Sequence, residues 1–104
     1  MHPFIASKRS EIAHLCQVFH IRRLEVFGSA ARATDFDPAH SDADFLVEFE
    51  PEAKNGFGSY FEFKAALERL LQLKRGVDLV EPKALRNPYL LEGINSSREL
   101  VYAA

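Results

Sequence analysis

The chain has 104 residues, 13 Lys+Arg against 15 Asp+Glu, and a formal net charge of −2. That length holds one compact domain and not two, and that charge excludes bulk electrostatic capture of DNA or RNA. With 47% hydrophobic residues, disorder is excluded as the default state, and no apolar run approaches the roughly 18–20 residues that a membrane span needs.

Pro3 suits a first helical turn, and Ile5, Ile12, Leu15, Cys16 and Phe19 repeat at helical spacing, which predicts a helix over 3–19. Ile21–Phe27 alternates and predicts a strand that stops at Gly28-Ser29. The small residues over 29–33 predict a short helix directly off that strand, followed by loop chemistry over 34–41. Asp42 to Phe49 alternates cleanly and predicts a second strand, with Ala43, Phe45, Val47 and Phe49 on one face and Asp42, Asp44, Leu46 and Glu48 on the other. After a loop over 51–58, Ser59-x-x-Glu62 reads as a capping box for a helix running to about Lys74, broken at Gly76. Val77 to Glu81 predicts a third short strand, ended by Pro82. Residues 84–93 read as helical in part, with a weak break at Asn87-Pro88. The tail stays open between a last turn capped by Ser96-x-x-Glu99 and an edge strand over Leu100–Tyr102. The expected class is α/β (or α+β), a small mixed sheet with helices packed on it, as one domain over 1–104.

Cys16 has no partner cysteine and falls on an apolar helical stripe, so a buried free thiol is expected. Together with the absence of a signal-like opening, this implies a soluble, reducing, cytoplasmic setting. The four histidines show no zinc spacing. His40 reads as a loop residue beside Ser41-Asp42. The aromatics Phe57, Tyr60, Phe61 and Phe63 read as core and boundary, with a partner surface as the alternative; Tyr89 and Tyr102, with Leu90-Leu91, are a second candidate patch.

Two local features carry chemistry. Gly28-Ser29 stands at a strand-to-helix corner, where glycine lets a ligand approach the backbone and the helix start offers N–H groups to an anion. On its own the pair is equally a turn and a cap, and no Gly-Lys-Ser/Thr follows to make it a P-loop. Asp42 and Asp44 fall on one face of a strand, a repulsive pair that a hard divalent cation would relieve. An exposed pair of solvated acids is the plain alternative. Asp78 lies inside the apolar third strand. If that strand neighbours the second, the three carboxylates converge opposite the Gly-Ser corner, as a two-metal phosphoryl-transfer site requires.

Gly28-Ser29, Ser41-Asp42-x-Asp44 with Phe45-Leu46-Val47 behind it, and Val77-Asp78-Leu79-Val80 together resemble the minimal nucleotidyltransferases of the DNA polymerase β superfamily. The resemblance runs from about Leu24 to Tyr102 and looks most like the antitoxins paired with HEPN-domain toxins. It implies a polymerase-β-like fold, ATP as substrate, two Mg2+ ions, and transfer of AMP to a tyrosine of the toxin. It assigns Gly28 and Ser29 to the β- and γ-phosphates, Asp42 and Asp44 to both metals, and Asp78 to the metal that activates the acceptor. Arg32 matches a basic position one turn past Gly-Ser, suited to triphosphate charge, although Ala33 stands where many relatives have glycine. The chain is too short for an acceptor-binding domain, so the acceptor is expected from a partner, in a hetero-oligomer with the toxin. The alternatives are a docking-only antitoxin with idle carboxylates, or transfer to another acceptor. Transfer to tRNA or DNA is disfavoured by the charge of −2.

Overall fold

The computed structural model describes residues 1–32, 36–51, 57–82 and 87–104. The elements in chain order are α1 (Pro3–Ser7), α2 (Arg9–Val18), β1 (Ile21–Phe27), α3 (Ser29–Arg32), β2 (Ala43–Phe49), α4 (Phe57–Leu71), β3 (Val77–Val80), α5 (Pro88–Asn95) and β4 (Glu99–Ala103). The four strands form one sheet in the order β3-β2-β1-β4. β1 runs antiparallel to both β2 and β4, whereas β2 and β3 run parallel, with α4 making the crossover.

One face of the sheet carries the core. Leu24 and Val26 of β1, Phe45 and Val47 of β2, and Leu79 of β3 meet Ile5, Ile12 and Cys16 from the first two helices and Phe63, Leu67 and Leu71 from α4, all buried. At about 25 cal/mol per Å² of apolar surface removed from water, this shared cluster supplies the dominant stabilising term. Phe63 stacks at a tilt on Phe19, centroids 5.7 Å apart, and meets Phe49 edge-on. The opposite face of β1 and β2 presents Glu25, Phe27, Asp44 and Leu46, because successive side chains alternate. Among the described residues, no helix is long and apolar enough to cross a membrane.

The structure refines several boundaries. The helix expected over 3–19 is two helices meeting at Lys8, whose N–H bonds back to α1 and whose carbonyl accepts from Ile12. The first is capped by His2, whose Nδ1 accepts from the Phe4 N–H at 3.0 Å. Ser59 lies inside the first turn of α4, so Ser59-x-x-Glu62 is not its capping box. That helix stops at Leu71 because Gln72 takes a left-handed φ of 51°, before Gly76 is reached. Part of the helical reading over 84–93 lies outside the described residues, but Asn87 caps α5 by accepting from the Tyr89 N–H at 2.9 Å.

The tail resolves as an edge strand. β1 has an open side, and pairing with Glu99–Ala103 satisfies its backbone groups. A bulge between Leu24 and Glu25 leaves Val101 without a register partner. There Arg9 of α2 donates from Nε to the Val101 carbonyl at 3.2 Å and from Nη2 to the Leu100 carbonyl at 3.4 Å.

Candidate active site

The corner after β1 is built by Gly28. It has φ +69°, a conformation that glycine adopts without penalty. Its carbonyl starts α3 by accepting from the N–H groups of Ala31 and Arg32, both at 3.1 Å. A Cβ at this position would stand 2.7 Å from Asp44 Oδ2, so a side chain there would displace that carboxylate. The strand register explains the proximity: Phe27, the last residue of β1, pairs with Asp44 of β2.

On its other side Asp44 pairs with Asp78 of β3. Partners on adjacent strands stand about 4.8 Å apart at the backbone, so the two carboxylates leave the same face as close neighbours. Asp42 precedes β2 by one residue, on the same side as Asp44. The loop before it is closed on itself. Asp37 N–H donates to Ser41 Oγ at 3.1 Å, Ser41 N–H donates to the Asp37 carbonyl at 2.7 Å, and Asp37 Oδ2 pairs with His40 Nδ1 at 2.7 Å. His40 is therefore engaged by Asp37, and the Ser41 hydroxyl serves the loop.

Charge crowding marks Asp44. Burial first, then the negative charges of Asp42 and Asp78, push its carboxyl up to about 6, with Arg32 acting in the opposite sense. Asp42, Asp78 and Arg32 are exposed, Asp44 is partly buried, and Gly28 and Ser29 line the rim between. Among the described residues, no three His, Cys, Asp or Glu side chains stand grouped so as to hold a metal ion as they are placed. The fold instead delivers hard carboxylate oxygens on two adjacent strands, whose mutual repulsion a divalent cation would offset. That donor chemistry fits Mg2+.

Helix α4 holds β3 in place on both flanks of Asp78. The Tyr60 hydroxyl donates to the Leu79 carbonyl, and Glu68 Oε2 accepts from the Val77 N–H at 3.2 Å. Burial, then the charges of Asp78 and Glu81, push the Tyr60 hydroxyl pKa upward. Gly76, at φ +77°, passes so close to Glu68 that a Cβ would stand 2.6 Å from its Oε2. From sequence, Tyr60 reads as core or boundary and Glu68 as an ordinary helix residue. Neither has a local signal, since their partners lie 19 and 9 residues away. Ser97, whose hydroxyl accepts from the Gly28 N–H at 3.1 Å across 69 residues, was equally invisible.

Residues 10–104 match the family described as polymerase beta nucleotidyltransferase. The chain belongs to that family. A protein of Methanocaldococcus jannaschii that carries the provisional name protein adenylyltransferase is 34% identical over 84 residues, covering 81% of this chain and 78% of the relative. A solved structure, provisionally a minimal nucleotidyltransferase, matches with a TM-score of 0.73 and 31% identity, covering 95% of each chain. Two toxin–antitoxin complexes contain chains of the same fold. One, solved with AMP-PNP, matches at TM-score 0.66 and 19% identity over 92% of this chain and 73% of the other. The second, a tri-AMPylated Shewanella oneidensis HEPN toxin with its MNT antitoxin, matches at TM-score 0.62 and 17% identity, covering 96% and 73%. This chain is thus a nucleotidyltransferase domain with the polymerase-β-like fold expected from Gly28-Ser29, Asp42, Asp44 and Asp78.

Proposed function

We propose that this nucleotidyltransferase transfers AMP from ATP to a tyrosine hydroxyl of a HEPN-type toxin and thereby acts as its antitoxin. The observation that carries the reading is the placement of Asp44 between Asp78 and the Gly28 corner. The provisional adenylyltransferase name of the 34% identical relative supports the same chemistry. So do the fold-level likenesses to a chain solved with AMP-PNP and to one in complex with an AMPylated toxin.

In this reading the side-chain-free Gly28 corner lets the β- and γ-phosphates come close, Ser29 receives them, and Arg32 offsets triphosphate charge. Asp42, Asp44 and Asp78 would hold two Mg2+ ions. Bound Mg2+ would supply charge neutralisation on the triphosphate and a lowered pKa for the acceptor hydroxyl. The acceptor hydroxyl gives up its proton to solvent, its oxygen forms a bond to the α-phosphorus, the bond from that phosphorus to the α–β bridging oxygen breaks, and pyrophosphate leaves. The chain acts as one unit over 1–104 and takes its acceptor from the partner, in the cytoplasm, where ATP and reduced Cys16 coexist.

The test is the intact mass of the HEPN-domain partner after incubation with this protein, ATP and MgCl2. The expected result is a gain of one or more AMP units, absent with Asp44→Asn. A stable complex without any mass gain would favour a docking-only antitoxin, for which exposed Phe61 and Tyr89 offer apolar contact surface.

A further inference from the structure

We infer that Ser97 is a positioning residue for the nucleotide corner, an inference that rests on the nucleotidyltransferase reading above. The β1–β4 ladder ends with Val26 opposite Glu99. Continuing that antiparallel register two residues further sets Gly28 opposite Ser97. The backbone ladder has stopped there, and the Ser97 hydroxyl takes over, accepting from the Gly28 N–H at 3.1 Å.

The polarity of this contact is fixed. The Ser97 hydroxyl donates its single proton to the Ile94 carbonyl at 3.5 Å, which leaves a lone pair for Gly28. The Ser97 N–H also bonds to the Ile94 carbonyl, at 3.1 Å. The next residue, Arg98, reaches across to Glu25 of β1 with Nε 2.8 Å from Oε2. The α5–β4 turn is therefore anchored to β1 at two successive residues.

Gly28 needs such an anchor. Its freedom to leave φ +69° is the freedom that makes it usable at the corner. Its carbonyl is committed to α3, its Cα faces Asp44, and Ser97 fixes the remaining polar group. The corner is thus ordered before the triphosphate arrives, and binding does not have to supply that ordering. Without the hydroxyl, the Gly28 N–H loses its partner and the corner is held from the α3 side, so part of the binding free energy goes into fixing it.

The experiment titrates MgATP by calorimetry into the wild type, Ser97→Ala, Ser97→Thr and Ser96→Ala. Amide hydrogen exchange at Gly28 is followed by NMR. Ser96 is the control because its hydroxyl donates to the Gly93 carbonyl at the end of α5, away from Gly28. Loss of one neutral hydrogen bond is expected to weaken MgATP binding about tenfold in Ser97→Ala, with faster Gly28 exchange, while Ser97→Thr and Ser96→Ala stay within about twofold of wild type. Ser97→Ala binding like the wild type would overturn the inference, as would Ser97→Thr binding as weakly as Ser97→Ala. If Ser97→Ala does not fold, Ser97→Cys, with its weaker acceptor, takes its place under the same criteria. A wild type that binds no MgATP overturns the nucleotide reading itself, and this inference with it.

Discussion

At the scale of single residues, Asp44 is held against both burial and like charge. Its folded carboxyl titrates at about 6 against an ordinary 3.8. A carboxyl pushed up on folding favours the native state while protonated, below pH 4. That contribution is lost as pH rises through 6, so the charged form weakens the fold at neutral pH. Asp44→Asn should therefore raise stability at pH 7 in EDTA-containing buffer by about 1 kcal/mol, the shift being discounted because the group is partly solvated. Urea unfolding at pH 7 and pH 4 checks this, since the advantage should vanish at the lower pH; a variant less stable at pH 7 would refute it. The three aspartates were legible because strand alternation fixes which face a residue takes. Their meeting was conditional until the register showed β3 beside β2, Asp78 against Asp44. Ser97 and Tyr60 were not legible, because each acts through a backbone group that only the tertiary fold brings near.

At the scale of elements, an ion-pair cluster reinforces the β1–β4 ladder where the chain enters β4. Glu25 is 5% exposed and accepts from Arg98, and from Arg23 Nε at 3.0 Å. The Arg98 hydrogen bond, followed by that of Arg23, holds the Glu25 carboxyl below its usual range. A carboxyl lowered on folding contributes stability above its unfolded pKa, near 4.5, and loses it as pH falls through the folded value. Arg98→Met should cost about 2–3 kcal/mol at pH 7, because it leaves a buried carboxylate with one partner fewer. The same variant should show a shallower loss of stability below pH 4.5 than the wild type, measured by thermal unfolding across that range. Equal acid sensitivity in both would argue against the assignment. The cluster also shows why the tail was ambiguous in the sequence. Ser96-x-x-Glu99 satisfies a helical cap pattern as well as a strand, and only the open side of β1 decides between them. The Ser59-x-x-Glu62 pattern failed because the helix is already under way at Phe57, two residues before the serine.

At the scale of the whole molecule, the three strands from Ile21 to Val80 and the core face were readable from alternation alone, to within about a residue. What alternation could not supply was the fourth strand and the parallel crossover, both properties of the closed sheet. Cys16 reports on that closed state. It is fully buried, and burial pushes its thiol up to about 12. Reaction with a thiol reagent at pH 8 should therefore be slow in the native protein and rise with urea alongside loss of circular dichroism. Rapid labelling without denaturant would contradict that burial. The sheet has two outer edges, and β4 forms one of them. A bare edge is a template onto which a second chain can lay its own strand, the first step toward a fibril. Here the bulge at Val101 disturbs the spacing such a strand would have to copy, and the Arg9 guanidinium already occupies two of its acceptors. One arginine, on a helix 91 residues away in the chain, thus makes this edge a poorer template for a second strand.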